Sequence, residues 1–153
     1  MKSCSLRMAT ALLPALFAAC ASTPEAAPDL DREAKQFVTH PQDSTLYVYR
    51  TDGVNLEDDT SLWINDRLIG ATLPKTYFRV HLNPGKQLLA GSGIDNGSLA
   101  LETRPGEAYF VRLQVVSSHS RFEPVPAGDA RQELQACCGL LENWRPGQRP
   151  LLR

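Results

Sequence analysis

Four cysteines and three histidines carry most of the reactive side-chain chemistry in this 153-residue chain. Cys137 and Cys138 are adjacent and have three readings. They can form a disulfide with each other or with another chain, which suits an oxidising compartment and includes labile, regulatory bridges. They can be two small hydrophobes on the buried face of a helix, a position free cysteine readily takes. Metal ligation fits least well, because ligand cysteines normally show C-x2–4-C spacing. The histidines are dispersed: His40 precedes Pro41, His81 falls on the polar phase of a strand, and His119 lies in the loop Ser117-Ser118-His119-Ser120. Nucleophilic catalysis needs a base within hydrogen-bonding reach of the nucleophile and a group to orient it, and no G-x-S-x-G elbow is present. Asp52, Glu57, Asp58 and Asp59 lack the alternating ligands and central glycine of an EF-type calcium loop and read as a charged connection. Gly91, Gly93 and Gly97 miss the G-x-G-x-x-G phosphate-loop spacing and read as bulge and turn glycines. The sequence nominates no catalytic residue, no metal site and no cofactor, so the expectation is a non-enzymatic protein.

Cys20 is the cysteine with a defined setting. Lys2 and Arg7 precede an apolar run from Met8 to Ala19, and Leu16-Phe17-Ala18-Ala19-Cys20 ends that run on small residues. This is the layout of an export signal, and it resembles the lipobox of a bacterial lipoprotein. A membrane-spanning helix needs about 20 apolar residues, and the run here is shorter and contains Pro14. The resemblance implies diacylglycerol on the Cys20 thiol, cleavage before Cys20 and a further acyl chain, two chains being what stable anchoring requires. Phe17 stands where such signals usually carry Leu, and Ala19-Cys20-Ala21 also fits an A-x-A cleavage site for plain secretion. Ala21 and Ser22 follow the cysteine where an Asp would imply inner-membrane retention, so the expected address is the periplasmic face of the outer membrane.

Residues 1–19 are therefore read as a signal peptide, 20–44 as the lipidated cysteine and a tether, 45–141 as the folded domain and 142–153 as an irregular tail. Removing the signal deletes Lys2 and Arg7 and no acidic residue from a balance of 16 basic and 17 acidic residues. The exported chain is then mildly acidic, with no basic block, which argues against a nucleic-acid partner. Roughly 130 residues remain, enough for one domain with one core. Ala21 to about Asp31 is rich in Ala, Pro, Ser and Thr, the composition of a flexible linker. Leu30 to Phe37 allows one short helical segment before Pro41.

From Thr45 the hydrophobic period becomes two. Leu46, Val48 and Arg50 alternate with Tyr47 and Tyr49, Phe78, Val80 and Leu82 with Tyr77, Arg79 and His81, and Tyr109, Val111, Leu113 and Val115 with Phe110, Arg112 and Gln114. Such alternation marks strands with one buried face. Asn65-Asp66, Asn83-Pro84-Gly85, Asp95-Asn96-Gly97 and Arg104-Pro105-Gly106 supply the turns. With Ser61–Ile64, Arg67–Ala71, Gln87–Gly91 and Ser98–Thr103, the count is about seven strands, the pattern of an antiparallel β-sandwich. Pro126 to Leu141 returns to helical spacing, with Leu134, Cys137, Cys138 and Leu141 on one face and Gly139 as a point of weakness near which the helix can end. Tyr47, Tyr49, Trp63, Tyr77 and Phe110 fall opposite the main core face. They form either an exposed binding patch for protein, glycan or lipid or a second face buried beneath the C-terminal helix.

The lipobox, the Leu46–Arg50 strand, the Trp63-Ile64-Asn65-Asp66 and Leu68-Ile69-Gly70 hairpin, Tyr77–Leu82, Asn83-Pro84-Gly85 and Gly106-x-x-Tyr109-Phe110-Val111 together are similar to the bacterial lipoprotein family catalogued as domain of unknown function 2846. The resemblance runs from about Thr45 to Leu141, and the hairpin element is also similar to PEGA-type surface repeats. It implies an exported β-sandwich without an assigned activity and contributes no catalytic residues. Two functional expectations follow: a membrane-anchored accessory domain that contacts an envelope protein or glycan, and a small-ligand or redox-responsive sensor built on Cys137 and Cys138.

Overall fold

A computed structural model of the protein describes residues 23–51, 60–91, 97–116 and 119–144. In chain order the elements are α1 (Pro28–Ala34), β1 (Ser44–Arg50), β2 (Ser61–Ile64), β3 (Arg67–Ala71), β4 (Thr76–Leu82), β5 (Gly85–Gly91), β6 (Ser98–Thr103), β7 (Ala108–Val116), β8 (His119–Pro124), α2 (Ala127–Cys137) and β9 (Gly139–Leu140). Five strands form one sheet in the order β8-β7-β1-β4-β9, and four form another in the order β3-β2-β5-β6.

The period-two pattern builds the interior between the sheets. Leu46 and Val48 of β1, Phe78 and Val80 of β4, and Val111 and Leu113 of β7 meet Leu62, Ile64, Ile69 and Leu89 of the smaller sheet. Both ends of this apolar slab close with hydrogen-bonded polar side chains, as burial without a partner would be costly. At one end the Ser44 hydroxyl donates to Thr103 Oγ1 at 3.0 Å. At the other, buried Arg50 donates to Thr72 Oγ1 at 3.2 Å, and the Thr60 and Ser120 hydroxyls pair at 3.2 Å. Asn65 and Asp66 both adopt left-handed backbone conformations, with φ of 50° and 60°, as the two-residue turn of the β2–β3 hairpin demands.

All seven residues of β1 are buried because this strand is covered on both faces. Its second face, with that of β4 and β7, lies beneath α1 and α2, where Tyr47, Tyr49, Tyr77 and Phe110 pack with Phe37, Ala130 and Leu134. The molecule is thus three layers: helices, five-stranded sheet, four-stranded sheet.

Several expectations need correction. The larger sheet is mixed rather than antiparallel, since β1 runs parallel to β7 and β4 parallel to β9. The described part of the β1–β7 connection passes through β2 and β3 of the smaller sheet, β4 of the larger one, and β5 and β6 of the smaller sheet again. The His119 segment is strand β8, paired with β7. The stretch expected to be a tether joins the fold from Thr23, which is buried and donates its hydroxyl to the Ala71 carbonyl at 2.8 Å, and α1 begins at Pro28. The C-terminal helix ends at Cys137, close to the Gly139 weak point, with Cys138 already extended, so Cys138 and Leu141 do not share its face. Leu141 therefore enters the inter-sheet core, while Leu134 and Cys138 pack under the helices.

These terminal segments cover two sheet edges that would otherwise expose unpaired backbone. The amide of Ala26 donates to the Leu140 carbonyl at 2.8 Å, that of Glu142 to the Pro24 carbonyl at 2.9 Å, and that of Leu141 to the Tyr77 carbonyl at 2.8 Å. Trp144 closes the β3 side, its amide donating to the Ile69 carbonyl at 2.8 Å. Gly70 permits this closeness: a Cβ there would stand 2.9 Å from the Phe78 ring and 3.2 Å from Thr23 Oγ1.

Candidate functional site

Cys20 and the apolar segment before it lie outside the described residues, as do Asp52 and Glu57 to Asp59. Among the described residues no helix is long and apolar enough to cross a membrane, and no three His, Cys, Asp or Glu side chains converge as a metal site.

The aromatic residues read either as an exposed patch or as a face buried beneath the C-terminal helix separate into two environments. Tyr47, Tyr49, Tyr77 and Phe110 are at most 3 % exposed and form the layer under the helices, so they offer no binding patch. Tyr47 stacks on Phe110 with ring centroids 5.0 Å apart, Phe37 meets both edge-on, and the Arg131 guanidinium lies 5.4 Å from the Phe37 centroid. Burial of three phenols is tolerable because each hydroxyl reaches a helix or its side chain. Tyr47 donates to the Ala34 carbonyl at 3.0 Å, Tyr49 to Glu133 Oε2 at 2.7 Å and Tyr77 to Asp31 Oδ1 at 2.9 Å. Desolvation, reinforced by the neighbouring carboxylates, pushes the Tyr49 and Tyr77 hydroxyls well above the usual phenol range. Trp63 alone of the five stays half-buried, on the smaller sheet.

Two carboxylates that the sequence reading passed over hold the helices down. Asp31 takes the Tyr77 hydroxyl, the Leu140 amide at 3.0 Å and the Lys35 ammonium at 2.8 Å. Glu133 takes the Tyr49 hydroxyl and a two-point contact from Arg112.

Cys137 and Cys138 sit where α2 hands over to β9. Their sulfurs are bonded to each other as a vicinal disulfide. Cys138 is buried with its Sγ 3.5 Å from the Arg50 carbonyl oxygen, and Cys137 is half-buried.

The histidines do not assemble. His40 lies on the surface with Nδ1 3.5 Å from the Asp43 carboxylate. His81 has Nδ1 3.3 Å from Thr45 Oγ1, and desolvation, with the Arg79 charge second, lowers its pKa. His119 pairs with Val116 at the far end of β7 from Ala108, the residue beside Thr45.

Two open clefts adjoin His81. The smaller, about 280 Å³, runs between Leu30 of α1 and the C-terminal strap and is lined by Arg79 and Asn143. The Asn143 amide donates to the Arg79 carbonyl at 2.8 Å, whereas its buried Oδ1 has no partner among the described residues. The larger, about 410 Å³, opens at the mouth of the sandwich and is lined by Ile64, Leu82, Asn65, Arg67 and Lys86. Arg67 and Lys86 carry the unspent polar chemistry of this region, and the sequence offered no local motif for either.

No family model matches the chain. An uncharacterized protein of Haemophilus influenzae is 31 % identical over 99 residues, which cover 63 % of this chain. The chain spans 59 % of that relative's length.

Proposed function

We propose that the protein is an exported, lipid-anchored accessory domain of the bacterial envelope, related in kind to the lipoproteins of domain of unknown function 2846. In this reading Cys20 carries the acyl chains, the domain stands on the periplasmic face of the outer membrane, and its role is to contact an envelope protein or glycan rather than to catalyse a reaction. The observation that carries the reading is the sequence order Lys2, Arg7, an apolar run and Cys20 on small residues, with a folded domain starting directly after it. The scattered histidines support a non-enzymatic role.

Intact mass spectrometry of protein extracted from membranes tests the anchor. The expected result is a chain beginning at acylated Cys20, with Cys20→Ala releasing the protein from the membrane fraction. An unacylated chain beginning near Ser22 would replace the anchored domain with a secreted one.

The vicinal sulfurs favour a second reading, a thiol-responsive sensor. Here a dithiol reductant transfers two electrons and two protons to the Cys137–Cys138 disulfide, yielding two cysteine thiols and the oxidised reductant. Thiol labelling under graded reduction tests it: a pair that stays fully oxidised at every physiological potential ends this reading.

A further inference from the structure

The terminal straps do not close the whole opening between β3 and β4. Thr23 covers Ala71, Leu141 covers Tyr77 and Trp144 covers Ile69. Beyond them, towards the Asn65-Asp66 turn, the sandwich mouth remains open as the 410 Å³ cleft. That size lies within the range of small-ligand sites, about 300–1,000 Å³.

The cleft has a mixed lining. Half-buried Leu82 and exposed Pro84 give it apolar surface, with buried Ile64 behind them in the inter-sheet core, and Arg67, Lys86 and His81 line it as well. None of its lining residues is acidic. Among the described residues neither Arg67 nor Lys86 forms an ion pair; Arg67 makes one long contact, 3.4 Å from its guanidinium to the Trp144 carbonyl. Asn65 is already committed, its amide donating to Gln87 Oε1 at 2.7 Å and its Oδ1 accepting the Leu88 amide at 2.8 Å. It shapes the wall instead of binding. The remaining donors are a planar guanidinium fork suited to oxyanions, a mobile ammonium and the outer nitrogen of His81.

We propose that this cleft binds an anion, a phosphate or carboxylate group carried on a short apolar substituent, with Arg67 and Lys86 on the charge and Leu82 and Pro84 against the substituent. The site does not rest on the anchor, so it stands or falls separately from Cys20 acylation. The same chemistry is found on a free metabolite and on a phospholipid headgroup.

The test is titration of the purified full chain with hexyl phosphate, inorganic phosphate, glycerophosphoglycerol and uncharged hexanol, followed by calorimetry and backbone amide shifts. Saturable binding of hexyl phosphate is expected, tighter than that of inorganic phosphate and absent for hexanol, with shifts at Asn65–Arg67 and Gly85–Gln87. Arg67→Ala and Lys86→Ala should each weaken it roughly tenfold, the loss typical of one charge-assisted hydrogen bond. Both side chains are exposed, so the variants should keep the wild-type unfolding midpoint. Glycerophosphoglycerol binding as tightly as hexyl phosphate supports a headgroup as the source, and weaker binding supports a free ligand. Absence of saturable binding by all three anions, or equal affinity in the Arg67→Ala/Lys86→Ala double variant, overturns the site.

Discussion

The inter-sheet core and the layer beneath the helices share the strands β1, β4 and β7 but are held by different means. The first is apolar through its middle, aliphatic but for the Phe78 ring, with polar side chains confined to its two ends. The second is aromatic, and every tyrosine in it is tied to a helix by a hydrogen bond. One layer gains from area removed from water, which is insensitive to direction and to proton concentration. The other adds directional bonds, two of them to carboxylate side chains, so its cohesion depends on charge state. A single strand can thus report on both, residue by residue, through alternate side chains.

The largest loss is expected between the two sheets. Phe78→Ala should cost about 3–5 kcal/mol, because it leaves a cavity in a closely packed interior. Denaturant unfolding should show a lowered midpoint of the whole transition. Asp31→Ala is expected to cost roughly 2–3 kcal/mol through three lost partners. Its signature differs: hydrogen exchange should accelerate first at the Leu140 and Leu141 amides, before the inter-sheet strands open. Gly70→Ala should cost roughly 1–3 kcal/mol, since the new methyl meets the Phe78 ring and the Thr23 hydroxyl. Restoration of that loss by a Phe78→Leu change would identify the clash as the cause. Tyr49→Phe, which keeps the ring and removes the bond to Glu133, should cost about 1 kcal/mol.

Proton titration sharpens the same contrast. Tyr49 and Tyr77 hold their protons more tightly folded than unfolded. The native state therefore binds more protons above pH 10, the usual phenol value, and stability must fall as pH rises through that range. Tyrosinate absorbance should stay low in the native protein at pH 11 and then rise together with unfolding. His81 behaves oppositely: its lowered pKa makes the native state bind fewer protons just below the ordinary value of 6.5, so stability declines slightly on acidification. His81→Gln should remove that small acid-side decline in a denaturation series between pH 7 and 5.

Much of this fold was legible because alternation is a local property. Leu46, Val48, Phe78, Val80, Val111 and Leu113 each announce their face, and Asn65-Asp66 announces its turn. What escaped was set by distant partners. The β8 strand carries His119, Arg121, Glu123 and Pro124, charges and a proline typical of an edge, and its pairing exists only because β7 lies beside it. The parallel neighbour of β1 is more than fifty positions away in sequence, so no hairpin signal marks it. For Tyr47 and Tyr49 the sequence left two readings, an exposed phase or one buried beneath the C-terminal helix, and the docked helices decide for the second. Gly139 did hint at the end of the helix, yet Cys138 and Leu141 were assigned to one face because helical spacing was extended past it. Arg67 and Lys86 were ordinary charges until folding set the β2–β3 hairpin beside the β4–β5 turn.

Thr23 has one further consequence if Cys20 is the membrane anchor. An extended chain advances at most about 3.6 Å per residue, so three residues span roughly 11 Å. The leash would then be shorter than the domain is wide, and the body could neither swing freely nor turn its flanks over. The β3 and β4 flank would stay towards the lipid, and the β6 and β8 flank would be the one that meets traffic from the periplasm. Attachment would fix heading as well as place.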